Sequence, residues 1–544
     1  MAGTPEFRRY LVNIDSISMN QLFTDCLVVG VGIAGLRAAI EAAGARSGRG
    51  CKVIIVCKGT IQDSNTWQAQ GGIASVLDKK DSFESHIADT LNTGCGIGNK
   101  KVVELVVRQG PELIEQLLRW GTDFDLIDGH IAATLEGGHS HPRIAHAHGD
   151  ETGRIITETL IKQARQIPNI RVIENFYAID LLTTDDNQCK GIIGQDKQRG
   201  LGIIWAANTI LATGGAGQLY RETTNPEVAT GDGIAMAYRA GAVLQDLEFV
   251  QFHPTTLYIA GASRALITET LRGEGAVLLD SNGQRFMKEY DQAAELAPRD
   301  IVSRAILAQM LKTNSTHVYL DVRHFDKAHF AKRFPQIFEL CESFNIDISR
   351  DLIPVRPSAH YMIGGVKTDA SAKTSLESLY ACGEVASTGL HGANRLGSNS
   401  LLEGLVFGKI AGSACGRISQ GTKANAAQRR HPPIKYRIPH SDRTRLDAAD
   451  VRNSLRALMW RNVGITRRAQ PLKEAQEIIR FWQRYVMDKA FDSPEGWECQ
   501  NMLTVSLLMA RSAQMRQESR GVHFRDDFTN TDDEQFKKHT ELVR

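Results

Sequence analysis

The sequence predicts an α/β protein: a Rossmann-like dinucleotide-binding domain, an inserted α+β domain and a C-terminal helical bundle. Three observations lead there. The apolar run Cys26–Val29 breaks at Gly30-Val31-Gly32-Ile33-Ala34-Gly35 and resumes with Leu36, Ala39, Ile40 and Ala43 at helical spacing, which reads as strand, tight turn and helix. Far along the chain, Thr209-Ile210-Leu211-Ala212-Thr213 is a second buried strand that stops in glycines, Gly214-Gly215, a device that returns the chain to a large bound nucleotide. Near the C-terminus, Leu472, Ala475, Ile479, Trp482 and Val486, then Leu503, Leu507 and Ala510, recur at three and four residues. Such stripes are bundle core.

Length and composition bound the rest. At 544 residues the chain exceeds one hydrophobic core, and length alone suggests roughly three domains. A net charge of +2, from 64 basic and 62 acidic residues, makes no electrostatic case for nucleic acid. Nine scattered cysteines include no CxxC pair, so neither a disulfide framework nor a zinc or iron–sulfur site is expected, and the location expected is the reducing cytoplasm. No apolar run reaches the roughly 18 residues of a membrane span. The start, MAGTPEFRRYLVNIDS, lacks the apolar centre of a signal peptide.

Taken in order, Gly30 permits the turn, Gly32 lets a pyrophosphate approach the backbone and Gly35 lets helix pack on strand. The helix N-terminus offers N–H groups and a positive dipole end to phosphate. A lone GxGxxG is a weak signal; the flanking helix and the second strand, Val53–Val56, strengthen it. The acidic residue that often follows about 20 positions later to hold a ribose is missing, since the second strand ends in Cys57-Lys58-Gly59. That makes NAD a less natural ligand. Ser64–Leu77 is a polar, glycine-bearing loop with Gln68, Gln70, Gly71 and Gly72. Helices are expected over Ser85–Leu91, Lys101–Trp120 and Thr152–Gln166, with strands at Asn169–Ile173 and Ala178–Leu182 and a hairpin or meander over Gly191–Trp205. The loop Leu135–Gly153 carries His139, His141, His146 and His148. Paired HxH units invite a metal reading, but the flanking glycines and the absence of cysteine favour a loop lining a cofactor or substrate site.

From Leu247 the composition changes, and roughly 115 residues form an insertion large enough for a small domain. The domain boundaries read 1–246 and 362–428 for the two parts of the nucleotide-binding domain, 247–361 for the insertion and 429–544 for the helical end. Within the insertion fall His253, Arg272, Arg299 and His360. Ser378–Glu384 is a strand ending in Gly-Glu, and a glycine-rich turn opens a helix near Ser400. Arg429–Ser441, with three prolines, reads as a linker, and the polar tail Asp526–Arg544 is expected to pack loosely.

GVGIAG, QAQGGIA, ATGG, TTNPEVATGDGIAMAYRAGA, QFHPT, LRGEGA, ELAPRDIVSRAI, HYMIGGV, LYACGE, HGANRLGSNSLLE and SRGVHF, which occur in this order from Asp25 to about Phe528, resemble one family: the flavoprotein subunits of succinate dehydrogenase and fumarate reductase, with the L-aspartate oxidases. The resemblance implies FAD, a four-carbon dicarboxylate substrate and a capping role for the insertion. It implies that Gly30, Gly32, Ala34 and Gly35 hold the pyrophosphate, with Lys58 and Thr66 on the adenosine and ribityl side. Gln70, Gly71 and Gly72 follow the isoalloxazine edge, Glu384 holds a ribityl hydroxyl, and Asn399, Ser400 and Leu401 open a helix at the flavin's pyrimidine end. Thr213, Gly214 and Asp232 complete the implied FAD set. His253, Thr268, His360 and Arg395 would bind the carboxylates, and Arg299 would transfer the proton, supported by Arg272. Independently, a dicarboxylate needs several converging cations, and arginine suits the task because its planar fork binds carboxylate bidentately. For any one of these arginines a surface ion pair is the commoner fate; their joint occurrence decides otherwise.

Two positions separate the branches. The succinate and fumarate enzymes usually link FAD covalently through a histidine just ahead of AQGG, where this chain has Asn65; FAD should therefore be non-covalent. Glu136 offers the anion that an α-ammonium would need on burial. Both positions resemble the L-aspartate oxidases. The implied activity is oxidation of L-aspartate to iminoaspartate with O₂ or fumarate as acceptor, the first step of de novo NAD synthesis, with quinolinate synthase as an implied recipient of the imine. A soluble fumarate reductase or succinate dehydrogenase flavoprotein subunit is the alternative, and a catalytically idle flavin-binding assembly protein a more distant one.

Overall fold

A computed structural model describes residues 8–44, 51–260, 264–421, 433–438 and 446–544. Its central sheet runs Phe176–Thr183, Cys189–Asp196, Gly200–Leu211, Asn20–Val29, Val53–Val56, Ile170–Ile173, with Leu379–Ala381 also paired to Gly200–Leu211. Asn20–Val29 is parallel to both neighbours. The expected strand at Cys26–Val29 is longer by six residues, 20–25, most of them exposed or half-exposed; backbone pairing with Gly202–Ala206, not apolarity, makes them strand. The second arm of the expected hairpin and the Thr209 strand form a single element, Gly200–Leu211, antiparallel to Cys189–Asp196 on one edge and parallel to Asn20–Val29 on the other.

Helices cover the sheet. Ile33–Ala43 packs along Asn399–Gly421, and the small residues at four-residue spacing explain how closely. A Cβ on Gly404, Gly408 or Gly412 would stand 2.6 Å from the Ile33 side chain, 2.6 Å from Ala34 O or 2.3 Å from Ala38 O. Phe83–Thr93 and Lys100–Trp120 form where expected, begun by the side chains of Ser82 and Asn99 accepting from Ser85 N and Lys101 N. Thr152–Arg165 turns Ile155, Ile156, Leu160 and Ile161 into the same core.

The insertion carries a second, antiparallel sheet in the order Val250–Leu257, Ile353–Met362, Val318–Asp321, Val277–Leu279. Helix Arg299–Lys312 packs on it, and Leu257, Leu278, Ile306 and Val355 belong to an apolar cluster of its own. Beyond it, Ala448–Asn462, Ala469–Val486 and Pro494–Met515 form the expected helices, with Leu472, Ala475, Ile479 and Leu503 buried. The expected linker lies mostly outside the described residues.

The tail corrects an expectation. The side chain of buried Arg516 donates to the backbone oxygens of Phe536 and Lys538, both at 2.7 Å. His539 Nδ1 lies 2.6 Å from Asp246, and Glu541–Leu542 joins Leu244–Gln245 as an edge strand. Polar composition suggested looseness; a buried guanidinium needing acceptors holds the segment instead. No helix among the described residues is long and apolar enough to cross a membrane.

Candidate active site

The first glycine turn opens one end of a deep cleft. Gly30 has φ +117°, and a Cβ there would stand 2.1 Å from the Ala212 carbonyl oxygen. Gly35 seats its helix on the strand: a Cβ there would lie 2.2 Å from Gly30 O. The cleft measures about 1490 Å³ including its open mouth. Gly30, Gly32, Ala34, Lys58, Thr66, Thr213, Gly214, Asp232, Glu384, Ser400 and Leu401, all expected there, line it. Residues from the first turns of two helices, Ile33–Ala43 and Asn399–Gly421, line it too, so two positive dipole ends open on one cleft. Asn65 Oδ1 and Thr213 Oγ1 are buried there without a hydrogen-bond partner among the described residues. Such atoms are costly unless a ligand satisfies them. Backbone approach, paired helix ends and orphaned polar atoms together fit a dinucleotide.

Some expected cofactor residues are placed differently. Gln70, Gly71 and Gly72 flank the cleft without lining it, and a Cβ on Gly72 would meet Ala145 O at 2.4 Å. The Asn399 side chain points away, between His86 Nε2 at 2.9 Å and Thr90 Oγ1 at 3.0 Å. Lys58 is bound within an ion cluster, its ammonium 2.8 Å from Asp232 and 2.6 Å from Glu498. Burial disfavours that charge, but the two carboxylates outweigh it and raise the lysine. Glu384 accepts from Asn65 Nδ2 and Met362 N, both at 2.9 Å.

Arg395 and the half-buried His360 carry the cleft wall into a cluster of buried charge. Gln251 Oε1 accepts from both Arg395 Nε at 3.1 Å and Arg299 Nη1 at 3.2 Å. Arg299 Nε donates to Glu269 at 2.6 Å, and Glu269's other oxygen lies 3.1 Å from Arg272. Tyr361, hydrogen-bonded to Glu403 at 3.0 Å, sits beneath the Arg395 guanidinium, 4.3 Å from its ring centre. His253 stacks edge-on to His360, ring centres 5.2 Å apart, and Thr268 is buried beside Thr270. Glu136 accepts from Ser398 Oγ at 2.7 Å and Thr270 Oγ1 at 3.3 Å. Its meeting point with Arg299 is Gly397: a Cβ there would lie 3.0 Å from Glu136 Oε2 and 3.3 Å from Arg299 Nη2.

The electrostatics follow from this crowding. Burial, then the charge of Arg299, drives His253 well below its ordinary value. Burial, then Arg395, does the same to His360, so both imidazoles are neutral donors or acceptors at neutral pH. Burial and the neighbouring Arg299 bring Arg395 down to about 10. Glu136 is raised by burial and by Glu269, against Arg299. For Glu269 burial also acts upward, but Arg299 and Arg272 outweigh it and hold the carboxylate low. One carboxyl inclined to hold a proton and one inclined to stay ionised thus face the same arginine.

Sequence reasoning misses several residues of this cluster, among them Gln251, Glu269, Thr270 and Tyr361, although QFHPT opens on the first and LRGEGA follows directly on the next two. Three buried arginines require acceptors, and that requirement is the signal that could find them. The four histidines of Leu135–Gly153 are engaged in ordinary hydrogen bonds: His139 with Gly397 O, His141 with Ser85, His146 with Thr134 and His148 with Asp123. Among the described residues no group of three His, Cys, Asp or Glu is arranged to hold a metal.

Comparison with known proteins places this geometry. The family described as FAD binding domain matches residues 25–401, and that described as fumarate reductase flavoprotein C-term matches 452–544. The chain is 40% identical over 536 residues to an L-aspartate oxidase of Streptomyces coelicolor, covering 95% of this chain and 90% of that one. To L-aspartate oxidase 1 of Ralstonia nicotianae it is 42% identical, covering 93% and 96%. Among solved structures it is similar to an E. coli quinol fumarate reductase FrdA mutant, with TM-score 0.87 and 33% identity over 97% and 96% of the two chains. A Mycobacterium smegmatis Sdh1 complex aligns with TM-score 0.81 and 30% identity over 96% and 94%.

Proposed function

The chain belongs to the L-aspartate oxidase family and is an FAD-dependent oxidoreductase, and from that premise we propose how its residues oxidise L-aspartate to iminoaspartate. Bound FAD would supply the hydride acceptor for the substrate's C2 and the route by which electrons reach O₂, giving peroxide, or fumarate. Gly30, Gly32, Ala34 and the N-terminus of Ile33–Ala43 would hold its phosphates, the N-terminus of Asn399–Gly421 the pyrimidine end of the flavin, and Thr66, Thr213, Asn65 and Glu384 its polyol side. With asparagine at position 65, the attachment is non-covalent.

The observation that carries the substrate reading is Glu136, a buried carboxyl facing a buried arginine cluster. Arg395, His360, His253 and Thr268 bind the two carboxylates of the substrate, the arginine bidentately. Glu136 pairs with the α-ammonium. Because burial and Glu269 raise it, it is also placed to take the proton that the amine must lose as its C–H bond breaks. Arg299 lies between Glu136 and Glu269 and moves protons through Glu269 and Arg272, a connected chain of buried groups. Residues 247–361 act as the cap that excludes water. The reaction is read as the first step of de novo NAD synthesis in the cytoplasm, its imine passing to quinolinate synthase.

A fumarate reductase or succinate dehydrogenase flavoprotein subunit is the second reading, favoured by the backbone likeness to the E. coli quinol fumarate reductase. Purified enzyme mixed anaerobically with L-aspartate or succinate separates the two. Bleaching of the yellow colour by aspartate, with flavin released into the supernatant on acid precipitation, is expected. Bleaching by succinate alone, with flavin left in the pellet, would overturn the proposal.

A further inference from the structure

The histidine-bearing loop has one member placed to do more than fold. Arg143 is wholly buried. Its Nε and Nη2 each donate to Asp81 at 2.8 Å, and its Nη1 to Asp89 at 2.5 Å. The same Nη1 lies 3.2 Å from His139 Nδ1. A guanidinium has donors and no acceptor, so Nδ1 must accept and the ring proton sits on Nε2. That Nε2–H donates to the carbonyl oxygen of Gly397 at 3.0 Å. Burial drives the imidazole down to about 3, so the neutral tautomer persists at working pH.

Gly397 leads directly to Ser398, a non-glycine residue in the left-handed region with φ +60°, a conformation that needs outside support. Its hydroxyl makes the 2.7 Å bond to Glu136. The backbone N–H of His139 donates to Glu136 O at 3.1 Å. The imidazole residue therefore holds Glu136 at both ends: the backbone directly, the carboxylate through the Gly397–Ser398 peptide. Arg299 has separate support from Glu269 and Gln251.

We propose that His139, oriented by Arg143, is a positioning residue for substrate choice: it fixes the Gly397–Ser398 peptide and thereby sets the Glu136 carboxylate where an α-ammonium meets it. The inference rests on the reading above that Glu136 pairs with the ammonium. It assigns a determinant of specificity that never touches substrate, and it predicts a selective defect. Loss of the imidazole should weaken use of L-aspartate, which carries the ammonium, much more than use of fumarate, which does not.

The test is steady-state kinetics of His139→Leu and His139→Gln in the FAD-loaded enzyme, with flavin content and circular dichroism as checks of folding. His139→Leu should raise KM for L-aspartate by about tenfold or more, with kcat/KM for fumarate reduction changed less than about threefold. His139→Gln, whose amide nitrogen can replace Nε2 as donor to Gly397 O, should recover most of the loss. Equal losses toward both substrates, no loss, or a glutamine variant as poor as leucine would each overturn the inference. If His139→Leu does not fold, Ser398→Ala removes the last hydrogen bond of the path alone, and an unchanged aspartate KM there would overturn it as well. Nitrogen-15 spectra of histidine-labelled enzyme should show His139 as the Nε2–H tautomer; an Nδ1–H tautomer contradicts it. Wild-type enzyme that fails to oxidise aspartate would sink the reading of Glu136 instead, a distinguishable failure.

Discussion

The nucleotide cleft and the charge cluster share a wall at Arg395 and His360, yet they are built in opposite ways. The cleft is made by backbone: a turn at Gly30, close approach at Gly32, helix ends from two segments. The cluster is made by side chains, with Glu136, Gln251, Glu269, Arg299 and Arg395 arriving from five separate stretches in near-complete burial. The difference shows where each can fail. A backbone site is broken by an added Cβ, whereas a buried charge network is broken by removing one partner, which costs about 3–5 kcal/mol because the other is left uncompensated.

The largest effect is expected at the turn itself. Gly30→Ala must place a methyl 2.1 Å from a carbonyl oxygen at φ +117°, a clash with backbone that cannot relax cheaply. Little soluble protein and no flavin absorbance should be recovered; a yellow, folded Gly30→Ala enzyme would break the account of the cleft. Next comes Arg299→Met. It leaves Glu269 without its nearest cation, and both aspartate oxidation and fumarate reduction should fall by at least about a thousandfold while FAD stays bound. Loss of only one reaction would show that Arg299 serves one substrate and not the shared proton path.

Gly32→Ala sharpens the contrast with Gly30. Gly32 has φ −67°, which any residue adopts, and the added carbon would lie 3.3 Å from Thr66 Oγ1. The melting temperature without FAD should move little, while FAD affinity falls by about tenfold through lost backbone approach. Equilibrium flavin titration against thermal unfolding measures the two separately. The smallest effect is expected at the tail. Asp246 raises His539 above its ordinary 6.5, the hydrogen bond first and burial opposing. A raised histidine stabilises below its unfolded value, and the contribution is lost as pH rises through the folded one. His539→Gln should therefore cost less than about 1 kcal/mol at pH 6, and less still at pH 9. A cost that grows with pH would contradict the pairing.

What could be read in advance follows the same division. Local signals sufficed for Gly30–Ala43, for the helices at 100–120 and 152–165 and for the bundle, because turn chemistry and periodicity act over a few residues. The polar half of Asn20–Val29 and the stitched tail were hidden because distant backbone partners, Gly202–Ala206 and Leu244–Gln245, create them. In the charge cluster Arg299, Arg395 and Glu136 were named through resemblance, while Gln251 and Glu269 were passed over. An uncharged glutamine bridging two arginines has no periodicity, and a glutamate beside arginines in sequence reads as an exposed ion pair. Asn399 shows the converse: adjacency to Ser400 suggested the flavin, but one residue of helical rotation turns its amide to His86 and Thr90.

The central claim, that the charge cluster selects aspartate through Glu136, is tested most directly by the ratio of aspartate oxidation to fumarate reduction in Glu136→Gln. The substitution keeps shape and removes the anion. The account predicts kcat/KM for L-aspartate falling by about a hundredfold, with fumarate reduction within about threefold of wild type. Equal loss of both activities would make Glu136 a structural residue and contradict the account.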